Sequence, residues 1–242
     1  IRDLVRSRGL GDVYKRQNFI YLNLFLFIHL QNIEEYFLLS ETKKKFMNND
    51  EKNRLASIVL APYIQKAYAL ISISRKTGGN QFRHAMATMS ILIDYHYIDS
   101  VLLKAAILHD LLEDFHEARE ENIREIQDED VEEVIRLVKE VTRHFPESKR
   151  EFYERLLHQG SKKAKILKCA DVISNLTDLH IDNISLNKIK TNLNLYEKFI
   201  LPMALQVNHN MHLEIEDLIQ SRRLYVKSYH KDWFSTLLKR NA

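Results

Sequence analysis

Helix-breaking residues are scarce in this chain, because only five glycines and three prolines are spread over its 242 residues. No stretch alternates between apolar and polar residues in the way that a half-buried strand would. The clearest periodic stretch has helical spacing and contains Val131, Val134, Ile135, Val138 and Val141. We therefore expect an all-α fold, a single helical bundle whose helices cross at irregular angles.

Capping residues and helix breakers allow the helices to be placed approximately. Asp99 or Ser100 is suited to cap the third helix, and Ser161 is suited to cap the helix that follows Gly160. The adjacent glycines 78 and 79 mark a loop before the second helix. The predicted helices cover about residues 55–75, 83–97, 100–115, 131–141, 148–160, 162–179, 188–207 and 210–228.

The first 46 residues are not expected to belong to the folded domain. Residues 1–17, which include Asp-Val-Tyr-Lys-Arg-Gln, resemble the translation of a transposon-end sequencing adaptor. The apolar run of residues 19–30 is shorter than the ~20 residues that span a membrane, and no small-residue cleavage site follows it. We interpret residues 1–46 as a non-native or disordered leader, Met47 as the natural start and residues 47–242 as one domain.

Charge and cysteine content exclude several kinds of partner and location. Residues 1–46 hold 8 of the 36 Lys and Arg and 5 of the 33 Asp and Glu, which leaves 28 of each sign in residues 47–242. A neutral body without a basic stripe argues against a nucleic-acid partner and against a DNA-binding helical protein. The single cysteine, Cys169, excludes an internal disulfide and fits a reducing compartment. We therefore expect a cytoplasmic protein without membrane attachment.

The segment Ala105–Phe115 has apolar residues on almost all sides, so we expect it to be buried, yet it carries one imidazole, His109, and three carboxylates. Asp110, Glu113 and Asp114 lie at positions i, i+3 and i+4, which places them on one face of a helix. Carboxylates that are crowded in a buried site need a positive partner, and no Lys or Arg lies within a turn of these three carboxylates along the chain. A divalent metal ion is the simplest compensation.

Two other predicted helices carry residues of the same chemistry. His84 follows a basic loop, and Asp171 interrupts an apolar helix face one turn before Asn175. Mixed imidazole and carboxylate ligands suit Mn²⁺, Fe²⁺ or Zn²⁺ better than Ca²⁺, and the lack of cysteine argues against a closed structural zinc site. A metal ion with open positions would activate a bound water and neutralise a phosphate. The ligand set predicted from these patterns is His84, His109, Asp110 and Asp171.

These motifs resemble the HD-domain hydrolases of the alarmone (p)ppGpp, over about residues 55–205. The run Leu108–Asp114 resembles the His-Asp-x-x-Glu-Asp signature of that family. The residues Arg75-Lys76-Thr77-Gly78, followed by His84, resemble its Arg-Lys loop and first metal ligand. Lys168–Asp171 and Asn175–Leu179 resemble its last ligand and its Asn-Leu-x-Asp-Leu run.

The resemblance implies an HD-domain helical bundle that hydrolyses ppGpp, the nucleotide of the stringent response, by removing pyrophosphate from its 3′ position. It also implies Mn²⁺, or another divalent ion, as the cofactor held by the four ligands. Glu113 and Asp114 would position and activate the attacking water. Arg75 and Lys76 would hold the guanine base, and Asn175 would hold the nucleoside. No synthetase region follows, so hydrolysis without synthesis is expected.

The chain departs from the family pattern at a few positions near these motifs. Ala85 stands where proline is usual, Gln81 where tyrosine is common, and residues 172–174 replace basic and aromatic or histidine positions. Two alternatives therefore remain open: an HD phosphohydrolase acting on a deoxynucleoside monophosphate or a cyclic nucleotide, and a catalytically silent nucleotide-binding module. The C-terminal aromatic residues suit packing on the bundle or on a second copy, which leaves a homo-oligomer open: Tyr225, Tyr229, Trp233 and Phe234.

Overall fold

The computed structural model describes residues 46–76, 79–179 and 184–240, with side chains described as far as residue 228. The leader predicted for residues 1–46 and the adaptor-like run within it lie outside the described residues, apart from Phe46. Residues Asn49–Ala242 form one compact unit.

The described part of the chain contains helices and one isolated bridge between Ser74 and Asn80, but no strand. The predicted all-α class is therefore confirmed. A 3₁₀ turn covers Tyr68–Ser72 and a π turn covers Tyr196–Ile200. The α-helices are α1 (Asn49–Ser57), α2 (Ala61–Ala67), α3 (Gln81–Asp94), α4 (Ser100–Leu108), α5 (Leu111–Asp114), α6 (Glu120–Arg124), α7 (Val131–Val141), α8 (Lys149–Gln159), α9 (Lys162–Asp178), α10 (Leu186–Leu195), α11 (Leu201–Val207) and α12 (His209–Arg240).

Polar caps begin most of the helices that carry the site. Asp99 caps α4 by accepting a 2.8 Å hydrogen bond from the amide of Leu102, and Ser161 caps α9 in the same way. Ser148 and Glu151 form a capping box at the start of α8. These caps satisfy amides that have no partner within the helix, and the predicted capping roles of Asp99 and Ser161 are confirmed.

The first predicted helix is not continuous in the structure, so that prediction is wrong. The chain forms α1, breaks at residues 58–60, and resumes as α2 with Pro62 in its first turn. Proline has no amide hydrogen and its ring clashes with the carbonyl four residues earlier, so it is tolerated in a first turn but not in a helix interior. The apolar spacing from Leu55 to Ala67 continues across this break and conceals it.

The third predicted helix, expected to run to about Phe115, is also broken. Helix α4 ends at Leu108, the pair His109-Asp110 forms a turn, and α5 begins at Leu111. The amide of Asp114 still donates to the carbonyl of Asp110 at 2.9 Å, so the new helix starts at once. The turn separates the fully buried α4 from α5, and it places the His-Asp pair at the edge of the core.

Helix α9 lies at the centre of the bundle and packs against α3, α4, α7, α8, α11 and α12. It buries ten side chains, among them Leu167, Ile173 and the polar residue Asp171. Helices α3 and α4 pack against each other as well as against α9. Helix α3 with His84, helix α9 with Asp171, and helix α4, which leads into the His-Asp turn, therefore meet in one place.

The C-terminal helices differ from the prediction at one point. The predicted helix 188–207 contains the π turn, in which the amide of Leu201 donates to the carbonyl of Tyr196. Pro202 follows this turn, and widening the helix relieves the clash that its ring would otherwise make. Tyr225 lies partly exposed on α12, and the other C-terminal aromatic side chains lie outside the described part of the chain.

Among the described residues, no single helix passes as a membrane span by length and apolar character. One bent pair, Asn49–Ser57 with Ala61–Ser72, passes by length and composition only.

Candidate metal centre and cleft

His84 lies in the first turn of α3, and its side chain is only 2% exposed. Its Nε2 atom is 2.9 Å from Oδ1 of Asp171 on α9 and 3.6 Å from Oδ2 of Asp110. Helix α3 begins there because Asn80 caps it, accepting a hydrogen bond from the amide of Arg83. The cap thereby fixes where the first imidazole enters the cluster.

His109 enters from the turn after α4, with its ring edge-on to that of His84 and 5.1 Å between the ring centroids. Its Nδ1 donates to the carbonyl oxygen of Ala106 at 2.8 Å, which turns Nε2 toward the carboxylates. That Nε2 lies 3.3 Å from Oδ2 of Asp110 and 3.8 Å from Oδ1 of Asp171. The structure thus brings together all four ligands predicted from the sequence.

The geometry and chemistry of this cluster fit a divalent metal ion. His84, His109 and Asp171 are buried, and each offers one ligand atom, with these atoms within 4.8 Å of one another. Metal–ligand bonds of about 2.1 Å at right angles place neighbouring ligand atoms about 3.0 Å apart, which is close to the contacts above. Nε2 of His109 is buried and has no hydrogen-bond partner among the described residues. An orphaned ring nitrogen that faces two carboxylates is the arrangement expected of a metal ligand.

The electrostatics of the cluster favour cations. Burial alone would lower the pKa of His109, but the adjacent carboxylates of Asp110 and Asp171 raise it to about 10. Burial likewise opposes ionisation of Asp171, but Lys168 and the two imidazoles hold its pKa well below the usual range. A proton and a metal ion therefore compete for Nε2 of His109.

Asp171 is also held by two residues of its own helix. Nζ of Lys168 lies 2.6 Å from Oδ2 of Asp171, and Nδ2 of Asn175 donates to Oδ1 at 2.5 Å. The side chain of Lys168 is 12% exposed, and its ammonium group lies over the rings of Phe152 and Tyr153. These contacts fix the carboxylate in one orientation and supply the positive charge that sequence proximity did not reveal.

The two predicted catalytic carboxylates lie on α5, at different depths. Gln81 donates a hydrogen bond to the carboxylate of Asp114. Burial and the neighbouring Asp110 raise the pKa of Asp114 to about 6. Glu113 lies nearer the solvent, 3.4 Å from the guanidinium of Arg143. The expectation that this whole segment is buried is wrong for Glu113, because the turn at His109-Asp110 moves α5 to the rim of the site.

Arg75 and Asn175 meet across the cleft, as a shared role in binding would require. The guanidinium of Arg75 donates to Oδ1 of Asn175 at 2.8 Å and lies 3.7 Å from Asp178. The loop that carries Arg75 closes through its amide, which donates to the carbonyl of Gly79 at 3.1 Å. Gly79 has a φ of +71°, a conformation that favours glycine.

These residues surround an open cleft of about 440 Å³. Residues 61–180, which include all four ligand candidates, match the family model described as HD domain. This region of the chain is an HD domain. A search of curated proteins gives no match.

One solved structure has the same fold as this HD domain. It is described as a metazoan ortholog of SpoT that hydrolyzes ppGpp and plays a role in starvation responses. The two chains align with a TM-score of 0.58 and 24% sequence identity, over 67% of this chain and 93% of that chain. The predicted HD-domain fold is confirmed by the family match and by this likeness.

Lys76, predicted to bind substrate, does not reach the cleft of the HD domain. Its side chain is exposed and is not among the lining residues, whereas that of the preceding residue, Arg75, is. Lys76 lies in the turn of this loop, so its side chain takes a direction different from that of Arg75, and only Arg75 lines the cleft.

Sequence reasoning missed a cationic and aromatic wall of the HD domain, formed by α8, α10 and their neighbours. Lys149 lies over the rings of Tyr153 and Tyr196 and donates to Asn192 at 3.1 Å. Burial and the nearby Lys168 lower the pKa of Lys149 to about 8. The only sequence signal was a lysine one residue after a helix cap. The cleft is therefore lined by the carboxylates of the cluster and also by a basic wall whose cations are Arg143, Lys149, Lys168 and Lys188. Two of these cations pair with carboxylates of the site, Lys168 with Asp171 and Arg143 with Glu113.

Proposed function

We propose that this HD domain is a metal-dependent phosphohydrolase that cleaves ppGpp to GDP and pyrophosphate at the 3′ position. The observation that carries the proposal is that one cleft combines a metal-ligand cluster with cations. Two imidazoles and the carboxylates Asp110 and Asp171 lie within ligand distances of one another, and four cations line the same cleft. A substrate with a phosphate to be cleaved and further phosphates to be held suits both groups of residues.

We assign Mn²⁺ to His84, His109, Asp110 and Asp171, with other divalent ions as candidates of the same donor chemistry. When bound, such an ion lowers the pKa of a coordinated water and neutralises phosphate oxygens. The protein positions the reaction around it. Lys168 and Asn175 hold Asp171 in place, and Ala106 holds the ring of His109.

Asp114 and Glu113 are assigned to the attacking water. A carboxylate whose pKa is about 6 is mostly ionised at neutral pH and remains basic enough to accept a proton. Asp114 therefore suits the role of general base, and Gln81 orients it by donating to its carboxylate. Glu113, tethered by Arg143 at the rim, suits a role in holding the water or an incoming phosphate through that arginine.

The nucleotide is assigned to the rest of the cleft. Arg75 and Asn175 form one contact surface, and the fixed fork of a guanidinium suits a planar base or a phosphate. Lys149 and its neighbours on the basic wall suit the 5′-diphosphate, because a partly buried cation binds phosphate more strongly than an exposed one. The likeness to a metazoan ortholog of SpoT that hydrolyzes ppGpp supports this choice of nucleotide.

A second candidate is an HD phosphohydrolase that acts on another nucleotide, such as a deoxynucleoside monophosphate or a cyclic nucleotide. The exposed position of Lys76 and the glutamine at position 81 favour it, since both depart from the contacts expected for ppGpp. Against it stands the basic wall, where Lys149 and Lys188 line the cleft in addition to the ligand cluster and suit a second phosphate group.

The test is turnover of a nucleotide panel by the full chain with Mn²⁺, together with the metal content of the protein. The panel contains ppGpp, a deoxynucleoside monophosphate and a cyclic nucleotide. We expect ppGpp to be cleaved fastest and Asp110→Ala to lose both metal and activity. Asp94→Ala, an exposed carboxylate of α3, is the matched control and should retain both. Cleavage of the monophosphate with ppGpp left intact would transfer the assignment to the second candidate.

A further inference from the structure

The two histidines of the cluster are held differently on the side that faces away from the carboxylates. Nδ1 of His109 donates to the backbone carbonyl of Ala106, which can only accept, so that ring has one orientation. Nδ1 of His84 lies 2.9 Å from Oγ of Ser174, a hydroxyl that can accept or donate. Which ring nitrogen of His84 carries the proton therefore depends on a side chain, and a substitution of that side chain can change it.

Ser174 and Asp171, both on α9, contact the two ring nitrogens of His84. They are three residues apart on α9 and so lie on the same helix face. The Asp171 carboxylate lies 2.9 Å from Nε2 of His84, and the Ser174 hydroxyl lies 2.9 Å from Nδ1. Both residues are buried: His84 is 2% exposed and Ser174 is 4% exposed. The hydroxyl is therefore the partner that the described part of the structure gives to Nδ1 of His84.

We propose that Ser174 is a positioning residue of the metal centre. Its oxygen accepts the Nδ1 proton of His84, which leaves the Nε2 lone pair directed at the metal position. This inference deepens the proposed function and rests on the metal ion that the proposed function assigns to the cluster. Partners that hold the second nitrogen of a metal-binding histidine typically contribute about 10–100-fold to metal affinity.

The surroundings of Ser174 supply a conservative variant. Ser174 and His84 both border a second cleft of about 310 Å³, formed between α3, α9 and α12. A threonine at position 174 keeps the hydroxyl and has this space for its additional methyl group. Thr88 offers a matched control, because its buried hydroxyl donates to the backbone carbonyl of His84 at 3.0 Å and not to the ring.

The experiment measures the Mn²⁺ affinity of the full chain by calorimetry, without substrate, for wild type, Ser174→Ala, Ser174→Thr and Thr88→Val. We expect Ser174→Ala to bind Mn²⁺ about 10–100-fold more weakly, while Ser174→Thr and Thr88→Val bind like wild type. Nitrogen chemical shifts of the zinc-loaded protein give a second reading. The Nδ1 proton of His84 should be detected in wild type and in Ser174→Thr, and should exchange with water faster in Ser174→Ala.

Equal Mn²⁺ affinity in wild type and Ser174→Ala overturns the inference. An equal loss in Ser174→Ala and Ser174→Thr, with metal-free melting temperatures unchanged, also overturns it, since the hydroxyl would then not be responsible. A wild-type chain that does not bind Mn²⁺ overturns the proposed function as well. Tight Mn²⁺ binding with ppGpp left intact contradicts only the assigned substrate.

Discussion

The buried pair Lys168–Asp171 offers the sharpest perturbation of this structure, by Lys168→Met. Nζ and Oδ2 lie 2.6 Å apart, and the two side chains are only 12% and 4% exposed. Burial alone would lower the pKa of Lys168, but Asp171 raises it above its ordinary value. Because the folded pKa is raised, the stabilisation is fully present below the unfolded pKa of about 10.4 and is lost only as pH rises through the folded value. The full effect is therefore measured at pH 7.

Methionine has a similar length but leaves the carboxylate of Asp171 buried without its cation. Removing one partner of a buried ion pair costs about 3–5 kcal/mol of unfolding free energy. In a domain of this size about 1 kcal/mol shifts the melting temperature by about 2–4 °C, so we expect a decrease of about 6–20 °C in EDTA. A divalent ion at the cluster would neutralise the same carboxylate, so the decrease should be smaller with saturating Mn²⁺.

The assay is thermal unfolding at pH 7 in EDTA and in Mn²⁺. Lys165→Met is the control, because Lys165 lies on the same helix and its ammonium donates to an exposed Gln206 at 2.9 Å. The control should change the unfolding free energy by less than about 0.5 kcal/mol. A Lys168→Met protein that is as stable in EDTA as the control, or equally destabilised with and without Mn²⁺, would refute the reasoning.

Three further predictions follow from single contacts. Lys149→Met should raise KM for ppGpp with little change in kcat, and an unchanged KM would exclude a contact between Lys149 and a phosphate. The affinity of the wild-type protein for ppGpp should weaken as pH rises through about 8, because Lys149 loses its proton there. Activity should fall as pH drops below about 6, because Asp114 becomes protonated there. Asp114→Asn should lower kcat by about 10²–10⁴, and a wild-type rate in that variant would refute the role of Asp114 as general base. Lys104→Met should lower the free energy of unfolding by about 3–5 kcal/mol in chemical denaturation. The reason is that the ammonium group of Lys104 lies between the carboxylates of Asp128, at 2.5 Å, and Asp130, at 2.7 Å. A decrease in unfolding free energy of less than about 1 kcal/mol would contradict this prediction.

The sequence predicts the helices and the ligand residues because both depend on local patterns. Apolar spacing and caps such as Asp99 and Ser161 are properties of short segments. The ligand candidates could be proposed because charged residues interrupt apolar helix faces, as Asp171 does on α9. The resemblance to a family then grouped residues from three helices, and the packing of α3, α4 and α9 brings them together.

The missed features depend on contacts between distant segments. Lys149 and Arg143 look like ordinary surface cations in the sequence, and only the packing of α8 against the π turn brings Lys149 over Tyr196. The turn at His109-Asp110 was concealed because the apolar pattern continues through it. Lys76 was assigned to the substrate by its position in a motif, but the orientation of a loop side chain cannot be inferred from a motif.

The central claim is tested most directly by the products formed from ppGpp and Mn²⁺ in ¹⁸O-enriched water, identified by mass spectrometry. Attack of water at the phosphorus bound to the 3′ oxygen breaks that phosphorus–oxygen bond, so the label enters pyrophosphate and the 3′ oxygen leaves with GDP. We predict equal amounts of unlabelled GDP and singly labelled pyrophosphate from the wild-type chain, and neither product from Asp110→Ala. Intact ppGpp in the wild-type reaction, or equal turnover by Asp110→Ala, would contradict the account.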